Sequence, residues 1–310
     1  MKKEQNKNCS IRIGGQAVME GVMIKSENFY AVSARKGSSI VSMHEKLKNP
    51  KSKFYRMPVA RGFFNMIAML KVGMKALMWS AEQAGEDAEK LGKKEIFVTI
   101  AVSIAAVIIF FILLPYFAAN FIGFNEERNP AAFNLIDGII RISLFLIYLI
   151  AISFMKDVKR LFQYHGAEHM AVHCYEKNMK LSKNNVRKYP TMHPRCGTSF
   201  LLLVFIISII VFSFVPSILM LIYPKFNMLN IFARKILLFA ARIIMIPLIA
   251  GISYEILKIS DKYQSNIIFK LISLPGILLQ KITTKNPTNA QIEVAINSVK
   301  KVVEMESIRK

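Results

Sequence analysis

The chain has 310 residues, 53% of them hydrophobic, a mean hydropathy of +0.36, and 42 Lys plus Arg against 20 Asp plus Glu. About half apolar is the upper end for ordinary soluble domains, so the composition excludes a soluble domain pair and points to a membrane protein. The basic excess sits in blocks beside apolar runs, which fits anionic headgroups and topology signals and sets aside nucleic acid as a partner.

Residues 1–57 form the first segment. MKKEQNKNCS is charged and lacks the apolar core of a signal peptide, so no cleaved leader is expected. GGQAVMEGVM (Gly14 to Met23) places three glycines around Gln16 and Glu20. It reads either as a glycine-shaped entry to a strand or as a backbone that approaches a ligand, with Glu20 as a distant third ligand or substrate contact. VMIKS, FYAVSAR and SIVSMHE then alternate as strands of an antiparallel meander, separated by Glu27-Asn28 and Gly37-Ser38.

Residues 58–95 have helical periodicity rich in Met and Phe, with Lys71 and Lys75 four apart, and suit an amphipathic helix on the bilayer or against the bundle. The third segment, 96–257, holds four apolar runs: Ile96 to Phe117, Leu135 to Met155, Ser199 to Tyr223 and Ile231 to Leu257. Each is long enough for a core that needs about 20 helical residues. The first three carry almost no charge; the fourth carries Arg234, Lys235 and Arg242, which snorkel or face the bundle. In the last segment, 258–310, NIIFKLISLPGILLQKI is too short and too interrupted by Pro275-Gly276 to cross, and is expected at the interface. An amphipathic helix follows from Asn289. The fold class is therefore mainly α: a polytopic membrane protein with about four transmembrane helices, a small N-terminal β meander and cytoplasmic amphipathic helices.

Charge bias orients it. The first 95 residues carry 18 Lys or Arg, loop 156–198 carries nine and the last 53 residues nine, whereas 118–134 has only Arg128 and 224–230 only Lys225. The positive-inside rule puts both termini and loop 156–198 on the cytoplasmic side of the membrane. Cys9, Cys174 and Cys196 then lie on a reducing side and read as thiols or ligands, with no disulfide framework.

FQYHGAEHMAVHCYE (Phe162 to Glu176) lies in that loop and holds three of the five histidines. On a helix from Lys156 to Asn178, His165 and His169 are one turn apart, about 5.4 Å, a spacing that lets two imidazoles grip one cation. With Glu168 they form H-x-x-E-H, in which the two His ligate zinc and the Glu is the general base. His165 to His173 is a rise of about 12 Å and His165 to Glu176 about 16 Å, so all four cannot share one ion. His173 is then a supporting or surface histidine, and Glu176 at most a supporting or substrate contact. A third ligand is sought in HPRCGTSF, where His193 and Cys196 are three apart and Arg195 suits an anionic group, or in Glu20. His169, His173, His193 and Cys196 could alternatively close a structural four-ligand site. Glu255, near membrane depth, is a functional candidate or a partner of Arg242 or a lysine.

IGGQAVMEGVMI, FQYHGAEHMAVHCYE, HPRCGTSFLL, AGISYEIL and LPGILLQKITTKNP, in that order, resemble the YqhQ-like family of bacterial membrane proteins, a domain of unknown function whose members are described as metal-dependent enzymes. The resemblance covers about Ile11 to Ile296. It implies a polytopic inner-membrane protein with a metal site on His165, Glu168, His169, His193 and Cys196; Gln16, Glu20, Arg195 and Glu255 match other polar positions, and His173 does not. It brings no substrate.

The expectation is a membrane-embedded hydrolase at the cytoplasmic face. His165 and His169 hold a divalent cation with His193, Cys196 or Glu20; Glu168 is the base, and a peptide or lipid-linked ester or amide is the substrate. Sulfur and imidazole suit zinc, and iron or cobalt fits as well. The alternative is a non-enzymatic scaffold or regulator with a structural metal. A transporter stands third, because spans one to three have almost no polar residues at mid-depth.

Overall fold

The computed structural model describes residues 11–47, 52–85, 93–126, 128–263 and 265–309. Helices dominate. Strands β1 (Gly14–Val18), β2 (Gly21–Lys25), β3 (Phe29–Lys36) and β4 (Ser39–Lys46) form one sheet in sequence order, each antiparallel to the next. Cys9 lies outside the described residues.

The sheet has one strand more than the three expected. The Gly-rich motif is not merely an entry but is itself β1, and it lies so close to β2 that a Cβ on Gly15 would collide with the Met23 carbonyl and the Ile24 side chain. Cross-strand partners share a face. Ala17 opposes Val22 and Ile24 opposes Ala31, whereas Gln16, Met23, Val32 and Met43 line up across the other face.

Each face has its own helical layer. Helix α1 (Ala60–Gln83) covers the side of Val18, Met23, Tyr30 and Val32 with Ala76. Helices α5 (Lys156–Glu176) and α10 (Asn289–Ile308) cover the side of Val22, Ile24 and Ala31 with Tyr164, Ala167, Ala295 and Val299. A reciprocal box starts α10: the Thr288 hydroxyl accepts the Gln291 N–H at 3.3 Å, and the Gln291 side chain accepts the Thr288 N–H at 2.8 Å. At its far end the Glu306 carboxylate accepts the Ser26 hydroxyl at 2.7 Å and the Asn28 N–H at 3.0 Å, which ties the last turn to the β2–β3 turn.

Among the described residues, four helical stretches are long and apolar enough to cross a membrane: Ala101–Phe121, Pro130–Ser153, Gly197–Ile222 and Ile231–Lys262. The first comprises the end of α2 (Lys93–Ile108), a π turn (Ile109–Leu113) and α3 (Leu114–Phe121); the others are α4, α7 and α8. α4 starts at Pro130 rather than Leu135, because Asn129 accepts the Ala132 N–H at 3.0 Å and proline occupies the first helical position. Its two charges pair with each other, Arg141 to Asp137 at 2.7 Å, and Arg242 of α8 faces inward to Glu126 at 2.7 Å and Asn134 at 2.9 Å.

Met155 breaks α4 in an extended conformation, and α5 leaves directly from it. A short helix, α6 (Lys183–Val186), precedes α7. Helix α9 (Ile267–Thr283) runs unbroken through Pro275 and packs on α7, α8 and α4. α1 joins the sheet to these helices. Gly62 lies against Tyr254 and Gly251 of α8, and Arg61 pairs with Glu255, which also accepts the Val59 N–H at 3.4 Å.

Glu306→Ala leaves the Ser26 hydroxyl and the Asn28 N–H without their acceptor, and should destabilise the sheet layer by about 1–3 kcal/mol. A lowered thermal unfolding midpoint of the purified protein checks this.

Candidate metal centre

Helix α5 presents His165 and His169 one turn apart, with ring centroids separated by 4.4 Å. The His165 Nδ1 lies 2.8 Å from the Thr283 carbonyl at the end of α9, and the His169 Nδ1 lies 2.5 Å from the Thr191 carbonyl. A carbonyl only accepts, so both protons sit on Nδ1 and both Nε2 atoms carry lone pairs. The His165 Nε2 is 3.2 Å from Cys196 Sγ, and a ligand nitrogen of His169 lies within 4.8 Å of the same sulfur. Cys196 caps α7, its sulfur accepting the Thr198 N–H at 3.5 Å. The three ligand atoms lie within 4.8 Å of one another. Two imidazole lone pairs thus converge on one thiol, which has a single proton to share. The donor chemistry fits a divalent cation: nitrogen and sulfur donors, with each imidazole oriented by a backbone carbonyl behind it.

Glu168 is buried beside this triad, its Oε2 3.5 Å from the His169 Nε2. Burial pushes its carboxyl above the usual carboxylate range, opposed by His165, His193 and the backbone N–H of Gly15. Burial likewise pushes His169 below the ordinary imidazole value, so the ring stays neutral. Gly166 explains the small residue inside HGAEH: a Cβ there would strike the Lys285 carbonyl and Thr191, the two segments that flank the ligand rings.

A second group, His173, Glu176 and His193, also brings three ligand atoms within 4.8 Å. Its protons are arranged differently. The His193 Nδ1 accepts the Arg195 N–H at 3.2 Å, which leaves the proton on Nε2, and that nitrogen donates to Glu176 Oε2 at 3.3 Å. His173 Nε2 donates to the Met192 carbonyl at 2.9 Å, and burial pushes the ring down to about 4. Arg195 pairs with Glu176 and reaches Asp261 of α8 at 3.3 Å. Arg195 supplies the positive charge that these carboxylates face, and the ring nitrogens named here are engaged by protein groups. These residues form a wall against the first triad, the His193 ring lying 4.3 Å from His173 and 5.7 Å from His169.

Of the residues picked out in the sequence, His165, Glu168, His169 and Cys196 meet in one place, and His193, Arg195 and Glu176 meet beside it. Three others do not reach it. Gln16 points to the opposite face of the sheet, against Gly73 of α1. Glu20 lies in the β1–β2 turn, paired with Arg160 and accepting the Tyr164 hydroxyl at 3.2 Å. Glu255 serves Arg61, not Arg242.

Sequence reasoning missed Gln280, Thr283 and Thr191. Gln280 is fully buried on α9: its carbonyl accepts the His193 N–H at 2.7 Å, and its amide donates to the His193 carbonyl at 2.8 Å and to Ser199 at 3.2 Å. A lone glutamine in the apolar run PGILLQKI was the available signal. The two threonines act through main-chain carbonyls, which carry no side-chain signature.

Residues 57–305 match the model of a family described as protein of unknown function (DUF1385). The chain is 31% identical over 311 residues to the uncharacterized protein YqhQ of Bacillus subtilis (strain 168), an alignment that spans 95% of this chain and 93% of that protein. No solved structure matches. The chain belongs to the DUF1385, YqhQ-like family.

Gln280→Leu strips the partners from two buried backbone groups of His193 and should cost about 1–3 kcal/mol for each. A lower unfolding midpoint, with faster amide exchange confined to residues 191–196, is the expected signature.

Proposed function

We propose that this DUF1385 chain is a multi-pass membrane hydrolase whose divalent cation, most simply zinc, is held by His165, His169 and Cys196 at the cytoplasmic face. The observation that carries the reading is the pair of Nδ1 hydrogen bonds to Thr283 and Thr191, which turn two imidazole lone pairs onto one thiol. Bound there, a zinc ion supplies Lewis acidity and brings the pKa of water toward about 7. Glu168, beside the His169 Nε2, is the group placed to take the proton, and burial raises its carboxyl above the ordinary range, toward a stronger base. Arg195 is committed to Glu176 and Asp261, so it supports the wall through His193 and does not receive an anionic substrate group.

Four apolar helices support the membrane reading, and the bias of Lys and Arg supports cytoplasmic termini. The cluster lies where Cys196 begins α7 and the end of α9 meets α5, beside two of the apolar helical layers, which suits a peptide or lipid-linked ester or amide near headgroup level. One observation favours a second reading. Glu168 and His169 are buried against β1 and the 191–196 segment, as expected of a structural metal that staples a scaffold together.

Elemental analysis of the purified protein should find one equivalent of metal, lost in His165→Ala, His169→Ala and Cys196→Ala and kept in His173→Ala. Glu168→Gln should keep the metal while cellular function falls to the level of the deletion, as expected when a base worth about 10²–10⁴-fold is removed. A Glu168→Gln protein that loses its metal, or supports wild-type function, rejects the catalytic reading and leaves the scaffold.

A further inference from the structure

Helix α9 has two faces of different kinds. Ile267, Leu271, Leu274 and Leu278 are 67%, 59%, 44% and 47% exposed. At 100° per residue they fall within an arc of about 60°. Gly276, Leu279, Gln280 and Thr283 are buried on the opposite side. Lys270 and Lys281, both exposed, lie together along one edge of the apolar arc. With 17 residues the helix is shorter than the roughly 20 needed to cross a bilayer. Its buried side packs on α7, α8 and α4, three of the four helices long enough to do so.

We propose that α9 lies in the membrane interface as a strut, its apolar stripe seated in the acyl boundary, and that the bilayer thereby holds the histidine cluster in register. This rests on the membrane reading above. The helices it packs against expose large apolar side chains of their own, among them Phe214 and Ile218 of α7 and Ile244 and Leu248 of α8, so the lipid that surrounds them is the medium at hand for the stripe. The two lysines on that edge suit anionic headgroups. The buried face reaches the cluster directly. The Thr283 carbonyl fixes His165, Gln280 clamps the backbone of His193, and Gly276 lies against Ser199 with no space for a side chain. A helix free to rock on its apolar side would carry those three contacts with it.

The test uses the full chain in phosphatidylglycerol–phosphatidylcholine vesicles with brominated acyl chains, with the single tryptophan, Trp79, replaced by Phe. Fluorescence of Leu274→Trp should be quenched several-fold more than that of Glu304→Trp on the exposed side of α10. Phe214→Trp, exposed on α7, reports whether the spans are inserted. An unquenched Leu274→Trp beside a quenched Phe214→Trp overturns the proposal and leaves the membrane reading intact; if neither is quenched, both fall. For the coupling, Leu271→Lys with Leu274→Lys should speed maleimide labelling of Cys196, followed by peptide mass spectrometry, several-fold, while Phe214→Trp in that background stays quenched. Labelling at the wild-type rate overturns the strut.

Discussion

An imidazole has one proton and two nitrogens, and where the proton rests decides what the ring can do. In His165 and His169 the deciding partners are the main-chain carbonyls of Thr283 and Thr191, which draw the proton to Nδ1 and turn Nε2 toward Cys196. Nothing in helix α5 alone sets this; the carbonyls come from α9 and from the segment before α7. The helix supplies spacing, and its neighbours supply the protonation pattern on which any use of the cluster depends.

Those neighbours must therefore come close, and the glycines mark where they do. Gly166 lets the 283–285 segment lie on α5 beside the ring it orients, and Gly15 lets β1 press on β2 while its N–H meets Glu168. Gln280 adds a pair of hydrogen bonds that fix the backbone of His193 in place. The sheet, α5, the start of α7 and the end of α9 converge on one volume, so displacement of one affects the others. The ion pairs of the apolar bundle lie elsewhere, Arg242 with Glu126 and Arg141 with Asp137, and they satisfy charges that would otherwise be costly at that depth.

Much of this could be read in the chain. Unbroken apolar runs show the four long helices, alternation shows β2 to β4, and the interval of four between His165 and His169 shows a shared helical face. The limits have physical causes. Gly15 breaks the side-chain alternation by which strands are recognised, so β1 looked like a lead-in. Charge partners depend on how helices cross, which sequence spacing does not set, and so Glu255 meets Arg61 instead of Arg242. Axial rise correctly separates His165 from His173, but it does not foresee that His193 would fold back to lie between His173 and His169. A carbonyl acceptor is common to every residue, so Thr191 and Thr283 had no sequence signal.

Distance alone would rank the two histidine groups equally, and counting protons and charges separates them. In the His173, Glu176 and His193 group, Arg195 balances the carboxylate, and His193 has a donor on one nitrogen and an acceptor at the other. In the other group, among the described residues, no Lys or Arg pairs with Glu168, whose immediate neighbours are a backbone N–H, His165, and the rings of His169 and His193, both of which burial pushes below the ordinary imidazole value. A buried carboxylate without a cation is expensive. A thiol set between two lone-pair nitrogens is readily deprotonated once a metal is present. With both protons lost, carboxylate and thiolate together would carry two negative charges, which one divalent cation would balance. The same ion would occupy both Nε2 lone pairs, so the electrostatic and hydrogen-bonding deficits of this volume have a single common remedy.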